Sequence, residues 1–146
     1  MTISLKRYES NRCYLRGKLL MNDKFFCDTM EFNNETSLKE GQYFIKVLPE
    51  PTTGERRVYL VDQFNQIISK LVKNNCENLN NVRIRRKNSL IEIGLYNKTS
   101  ELVMFSYINQ GLISAIRSAL NINELIVFHV LNQIPDNYEE KKVTEY

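Results

Sequence analysis

The sequence predicts an α+β fold: a single domain made of a bent or barrel-like antiparallel β-sheet with two helices packed on it. Three observations carry this expectation. With 146 residues, 42% hydrophobic and 25% charged, the chain has material for one real core and is not of disordered composition. Short stretches with an apolar residue at every second position recur in both halves, the mark of half-buried strands. Two other stretches space their apolar residues at three and four, the period of a helix face.

The strands come first. "TISLKRY" alternates Ile3 and Leu5 against polar neighbours. "CYLRGKLLM" and "KFFCDTMEF" flank Asn22-Asp23, the polar punctuation of a tight hairpin. "NNETSLKEG" reads as a polar loop before the β-branched and aromatic "QYFIKVL", and "PEPTTGER" as a second loop on its prolines and glycine. "RVYLVDQFNQIISKLVKNN" begins like a strand. Its Phe64, Ile67, Ile68, Leu71 and Val72 then follow the helical spacing, so a short strand running into the first helix is expected, ending near Asn74-Asn75.

Strands resume with "NVRIRR" and "LIEIGL", each alternating, and then the apolar "LVMFSYI". "QGLISAIRSAL" places Leu112, Ile113, Ile116 and Leu120 on one face and predicts the second helix, stopped at Asn121. "ELIVFHVL" reads as a last, fully buried strand. The count is roughly seven or eight short strands with two helices. Residues 1–134 make the domain, and 135–146, "PDNYEEKKVTEY", a polar C-terminal tail.

Composition narrows the function classes. A net charge of +3 is too small to imply a polyanion partner by itself. The three cysteines, Cys13, Cys27 and Cys76, lack metal-ligand spacing and read as reduced thiols packed as small apolar residues. No apolar stretch reaches the roughly 20 residues a membrane span needs. The first residues show no h-region behind a basic end, so the expected setting is the cytoplasm of a cell or a virion assembled inside one. There is no phosphate loop, dinucleotide fingerprint or zinc spacing, and no cofactor or metal is expected.

The amino-terminal half carries an ordered set of short motifs: Leu5-Lys6-Arg7, Gly17-Lys18-Leu19, Phe26-Cys27-Asp28-Thr29-Met30-Glu31 and Gly41-Gln42-Tyr43. The set resembles a small domain family of unknown function common in gut bacteria and their phages, over residues 3 to about 47 and more faintly to about 131. In that family an Ile-His-x-Gly-Asn strand precedes Asp-Thr-x-Gly-Cys-Ile, motifs similar to those of L,D-transpeptidases. A thiolate attacking a peptide carbonyl needs such a base within reach, and donors for the oxyanion. Here Ile91 and Gly94 match the first motif, but Glu92 stands at the histidine and Leu95 at the asparagine. Across the second, Thr99 and Val103 conform, while Glu101 replaces the glycine and Leu102 the cysteine.

A leucine cannot attack a carbonyl. The resemblance therefore implies a degenerate relative in which Glu92, Gly94 and Leu102 are vestigial catalytic positions and no catalytic residue remains. Glu92 alone reads as a solvated or hydrogen-bonded carboxylate in a shallow groove, since acid-base work needs a tuned partner. His129, the sole histidine, reads as a strand residue satisfied by one hydrogen bond, with a dyad to Cys27 or Cys76 as the rarer alternative.

Candidate binding residues are Arg83, Arg85, Arg86 and Lys87, the one basic cluster, and Tyr138 in the tail. No aromatic alternates with the arginines, so a charged strand face is the plainer account and nucleic acid is not the expected partner. The expected function is a non-catalytic binding or assembly module, a phage tail or neck piece working in a homo- or hetero-oligomer of protein subunits, with no membrane. The alternatives are a peptidoglycan-acting enzyme with altered catalytic residues and a nucleic-acid-binding protein using the basic strand.

Overall fold

A computed structural model describes residues 1–35, 37–73 and 89–135. In chain order the elements are β1 (Thr2–Ser10), β2 (Tyr14–Met21), β3 (Lys24–Phe32), β4 (Gly41–Pro49), β5 (Arg56–Val61), β6 (Ile67–Lys73), β7 (Ser89–Tyr96), β8 (Leu102–Val103), α1 (Ser106–Asn121) and β9 (Val127–Asn132).

Eight strands close on themselves in the order β3-β2-β1-β9-β4-β5-β6-β7, with β7 returning to β3 through Glu31↔Ile91 and Asp28↔Gly94. The molecule is mostly β, which overturns the α+β expectation of two helices on a sheet. The sheet is not purely antiparallel either, because β1 runs parallel to β9 and β6 parallel to β7.

The expected first helix is the main error. Residues 56–73 form the hairpin β5–β6 instead, closed by a turn in which the Asp62 carboxylate accepts from the Phe64 and Gln66 N–H groups and Asn65 takes φ 64°. That Asx turn breaks the helical frame after Asp62. The β-branched Ile67, Ile68 and Val72 then pair as a strand, and the three-four spacing has no structural counterpart. By contrast, Asn22 and Asp23 both take positive φ, 51° and 65°, as the tight turn between β2 and β3 requires.

Helix α1 begins at Ser106, earlier than "QGLISAIRSAL" suggests, so most of "LVMFSYI" is turn and helix, with only Leu102–Val103 in a strand. The apolar stripe gains Ile108, which is buried with Leu112, Ile113 and Ile116. Gly111 gives the helix a flat spot facing the ring of Phe26, 3.5 Å from where a Cβ would stand. Asn109 Nδ2 donates to the Arg56 carbonyl at 3.2 Å, where β5 begins. The helix therefore closes the barrel end at which β5 and β9 start.

The interior is filled by side chains from both the strands and α1. Ile3, Leu5, Leu19, Cys27, Val58, Leu60, Leu71, Ile91, Ile93, Phe128 and Val130 are fully buried and form one cluster with the helix residues. Each large side chain removed from water contributes about 1.5–3 kcal/mol. Gly17 faces this interior where an added Cβ would stand 2.8 Å from the Lys6 carbonyl oxygen, so the wall admits no side chain there.

The opposite barrel end is polar. Arg7 on β1 donates to both Glu31 oxygens, at 2.9 and 2.7 Å, and both residues are essentially buried. Its Nη1 also donates to the Leu38 carbonyl at 2.7 Å and to Asn132 Oδ1 at 3.2 Å. One guanidinium thus ties β1, β3, β9 and the loop before β4.

Candidate functional site

Strands β7 and β8 form the hairpin on which the resembled reactive positions fall. Leu95 pairs with Val103 and Tyr96 with Leu102. The turn is organised by Asn97, whose Oδ1 accepts from the Thr99 N–H, the Thr99 hydroxyl and the Glu101 N–H at 3.0, 2.8 and 3.0 Å. Ser100 takes φ 63° to complete it.

Gly94 lies under the returning strand. A Cβ there would stand 2.5 Å from the Val103 carbonyl oxygen and 3.0 Å from Leu102 Cγ. Leu102 is buried on that glycine. The fold therefore does bring Gly94 and Leu102 together, but as a packing contact.

Glu92 alternates with the inward Ile91 and Ile93 and so faces the outside of the barrel wall, opposite Met30 on β3. It is nevertheless only 3% exposed, which excludes the solvated alternative and leaves the hydrogen-bonded one. It lines a recess of 60 Å³ with Cys13, Tyr14, Met30, Phe32 and Leu90. These flanking side chains shield it, a tertiary effect that strand alternation does not reveal.

Cys27 and His129 do not meet. The Cys27 side chain is in the barrel core, where burial and the nearby Asp28 push its thiol up to about 12. His129 lies on β9 between the inward Phe128 and Val130, so it faces the other side of the wall. Strands β2 and β1 separate β3 from β9. Arg83, Arg85, Arg86, Lys87, Tyr138 and Cys76 lie outside the described residues. Arg57, a further basic residue on β5, is committed to Glu50 and, at 3.2 Å, to Glu55. Glu50 is itself desolvated, yet its bonds to Arg57 and Lys70 pull its carboxyl below the ordinary value.

A polar recess of about 400 Å³ opens at the Arg7 end, lined by Ser10, Asn33, Leu38, Lys39 and Asn132 among others. Arg7 contributes no free charge there, its guanidinium being bound to Glu31, Leu38 and Asn132.

Sequence reasoning missed a more ordered cluster on the outer face of β1, β2 and β3. Arg16 lies over the rings of Tyr14 and Tyr96, at 4.8 and 5.0 Å, with its Nη1 3.1 Å from Glu9. Burial raises the Tyr96 hydroxyl, and Tyr8 nearby is raised for the same first reason. The available signal was the alternation of Tyr14, Arg16 and Lys18 along "YLRGK".

Among the described residues, no group of three or more His, Cys, Asp or Glu side chains could hold a metal ion, and no helix is long and apolar enough to cross a membrane. Comparisons with protein-family models, with curated proteins and with solved structures find no match.

Proposed function

We propose that this chain is a non-catalytic binding and assembly module that works among other protein subunits, with a phage tail or neck as the setting and the virion or host cytoplasm as its location. The observation that carries the reading is Leu102 seated on Gly94. The resembled family would place a nucleophile there, and here the position is filled by apolar packing against backbone. Nearby, Glu92 is sheltered among Tyr14, Met30, Phe32 and Leu90.

The closed wall changes how such a module would engage its neighbours. Among the described residues, barrel closure leaves no long unpaired strand edge for a partner strand to extend. Association would use side-chain surfaces. The end of α1 and the segment joining it to β9 offer one, with Leu120 53%, Ile122 72% and Leu125 76% exposed.

Size-exclusion chromatography with light scattering tests this. The full chain is expected to self-associate, and Ile122→Lys with Leu125→Lys to return it to a monomer of unchanged fold. A monomer at every concentration, or cleavage of peptidoglycan stem peptides that disappears in Glu92→Gln, would overturn the reading.

A further inference from the structure

A second outer surface is built differently. On β2, Lys18 reaches over the rings of Tyr8 and Phe25, with Nζ 5.6 and 6.0 Å from the two centroids. It repeats, one pleat along, the ring–cation–ring arrangement of Tyr14, Arg16 and Tyr96. The Arg16 copy is closed: it pairs with Glu9 and donates to the Tyr14 hydroxyl and the Ser100 carbonyl. The Lys18 copy is open. Phe25 is 53% exposed, and Lys18 and Lys24 both stand in solvent.

The charges on this face are only partly balanced. Lys6 on β1 lies directly opposite Lys18 on β2, a like-charge cross-strand pair that works against the sheet. Among the described residues, none of Lys6, Lys18 and Lys24 has an ion pair. Asp28 faces Lys18 from β3 and offsets part of this charge, one of its oxygens accepting the Tyr96 N–H at 2.9 Å, while Lys6 and Lys24 have no acid opposite them in the strand pairing. An anion placed between Lys6 and Lys18 would relieve their repulsion.

We propose that this face binds single-stranded nucleic acid, with a phosphate between Lys6 and Lys18 and the adjoining bases against Phe25 and Tyr8. A cation flanked by two rings matches a strand's repeat of base, phosphate, base, and stacking on aromatic side chains tolerates any sequence. An acidic protein segment would use the lysines but has no need of the rings. The surface does not include the 120–125 segment, and it does not depend on the assembly reading.

The test is fluorescence anisotropy of the full chain with a labelled dT oligonucleotide of about 12 nucleotides. Binding is expected at low salt, with affinity falling as salt rises at a log–log slope of about −0.7 per phosphate contacted. Lys18→Ala and Lys6→Ala should each weaken binding and flatten that slope. Phe25→Ala, and Phe25→Leu as the variant that keeps apolar bulk, should weaken it about tenfold with the slope unchanged. Absence of binding at low salt would overturn the proposal. So would indifference to Lys18→Ala or to both Phe25 variants. Displacement by polyglutamate as effective as by unlabelled oligonucleotide would instead assign the face to an acidic protein segment.

Discussion

Two residues show how far the chemistry of single side chains follows from their position in the wall. Cys27 is enclosed by the core and its thiol is raised from 9.0 to about 12, so the folded state favours the neutral form. Its contribution to stability is complete below pH 9 and is lost as pH climbs from there towards 12. The melting temperature should fall over that interval. In Cys27→Ala the whole curve should be lower and this fall shallower, with Tyr8 and Tyr96, raised in the same direction, supplying the remaining slope. A thiol reagent at pH 8 should modify the exposed Cys13 at once and Cys27 only after denaturation. At Gly94 an added methyl meets backbone oxygen, so Gly94→Ala should cost about 1–3 kcal/mol in a denaturant titration. The sequence made Gly94 visible only as a motif match. What makes glycine necessary there is the return of β8 over it, a contact between neighbouring elements.

Elements were legible where local chemistry and burial agree. Asn22-Asp23 announces a turn, and the flanking strands confirm it because both have an apolar inward row to bury. The second hairpin at 62–65 went unrecognised because Asp62 and Asn65, equally good turn formers, are separated by Phe64, which suggested continuity of an apolar stripe. In the fold Phe64 is 74% exposed, at the tip of the turn, and not part of any stripe. The start of α1 was lost for the opposite reason. Phe105, at the N-cap, supplies no side-chain cap, and the first turn has no acidic residue, so the usual signals of a helix start are missing. The turn between β7 and β8 is better specified, resting on one side-chain oxygen with three donors. Asn97→Ala should therefore lower stability by about 1–2 kcal/mol, with hydrogen exchange quickening first at Thr99 and Glu101.

The topology of the whole molecule was beyond reach of periodicity, because alternation tells which residues face inward but not which strands are neighbours. A closed barrel and a bent sheet share the same pattern of inward rows, and only the β7–β3 pairing distinguishes them. The candidate site suffered likewise: the alternation of Tyr14, Arg16 and Lys18 was readable, but Tyr8, Tyr96 and Phe25 join it from other strands. Closure also explains the charged knot at the polar end. Arg7→Met alone strands Glu31 in the interior and should cost about 3–5 kcal/mol, whereas Arg7→Met with Glu31→Leu should recover most of that loss. Chemical denaturation of the two variants measures the difference. If the single and double variants were equally unstable, the pair would be acting through shape and not through charge.

Strand β1 has as its two neighbours β2, which follows it at once, and β9, which comes more than a hundred residues later. A growing polypeptide that has emerged only as far as α1 thus presents β1 with half of its backbone groups unsatisfied. Ring closure must wait until β9 has left the ribosome, and loop entropy makes such a long-range docking slow. During that interval the open ribbon is most exposed to sticking to its siblings, so yield in a cell should respond to growth temperature and to helper chaperones more strongly than the finished barrel's stability would suggest.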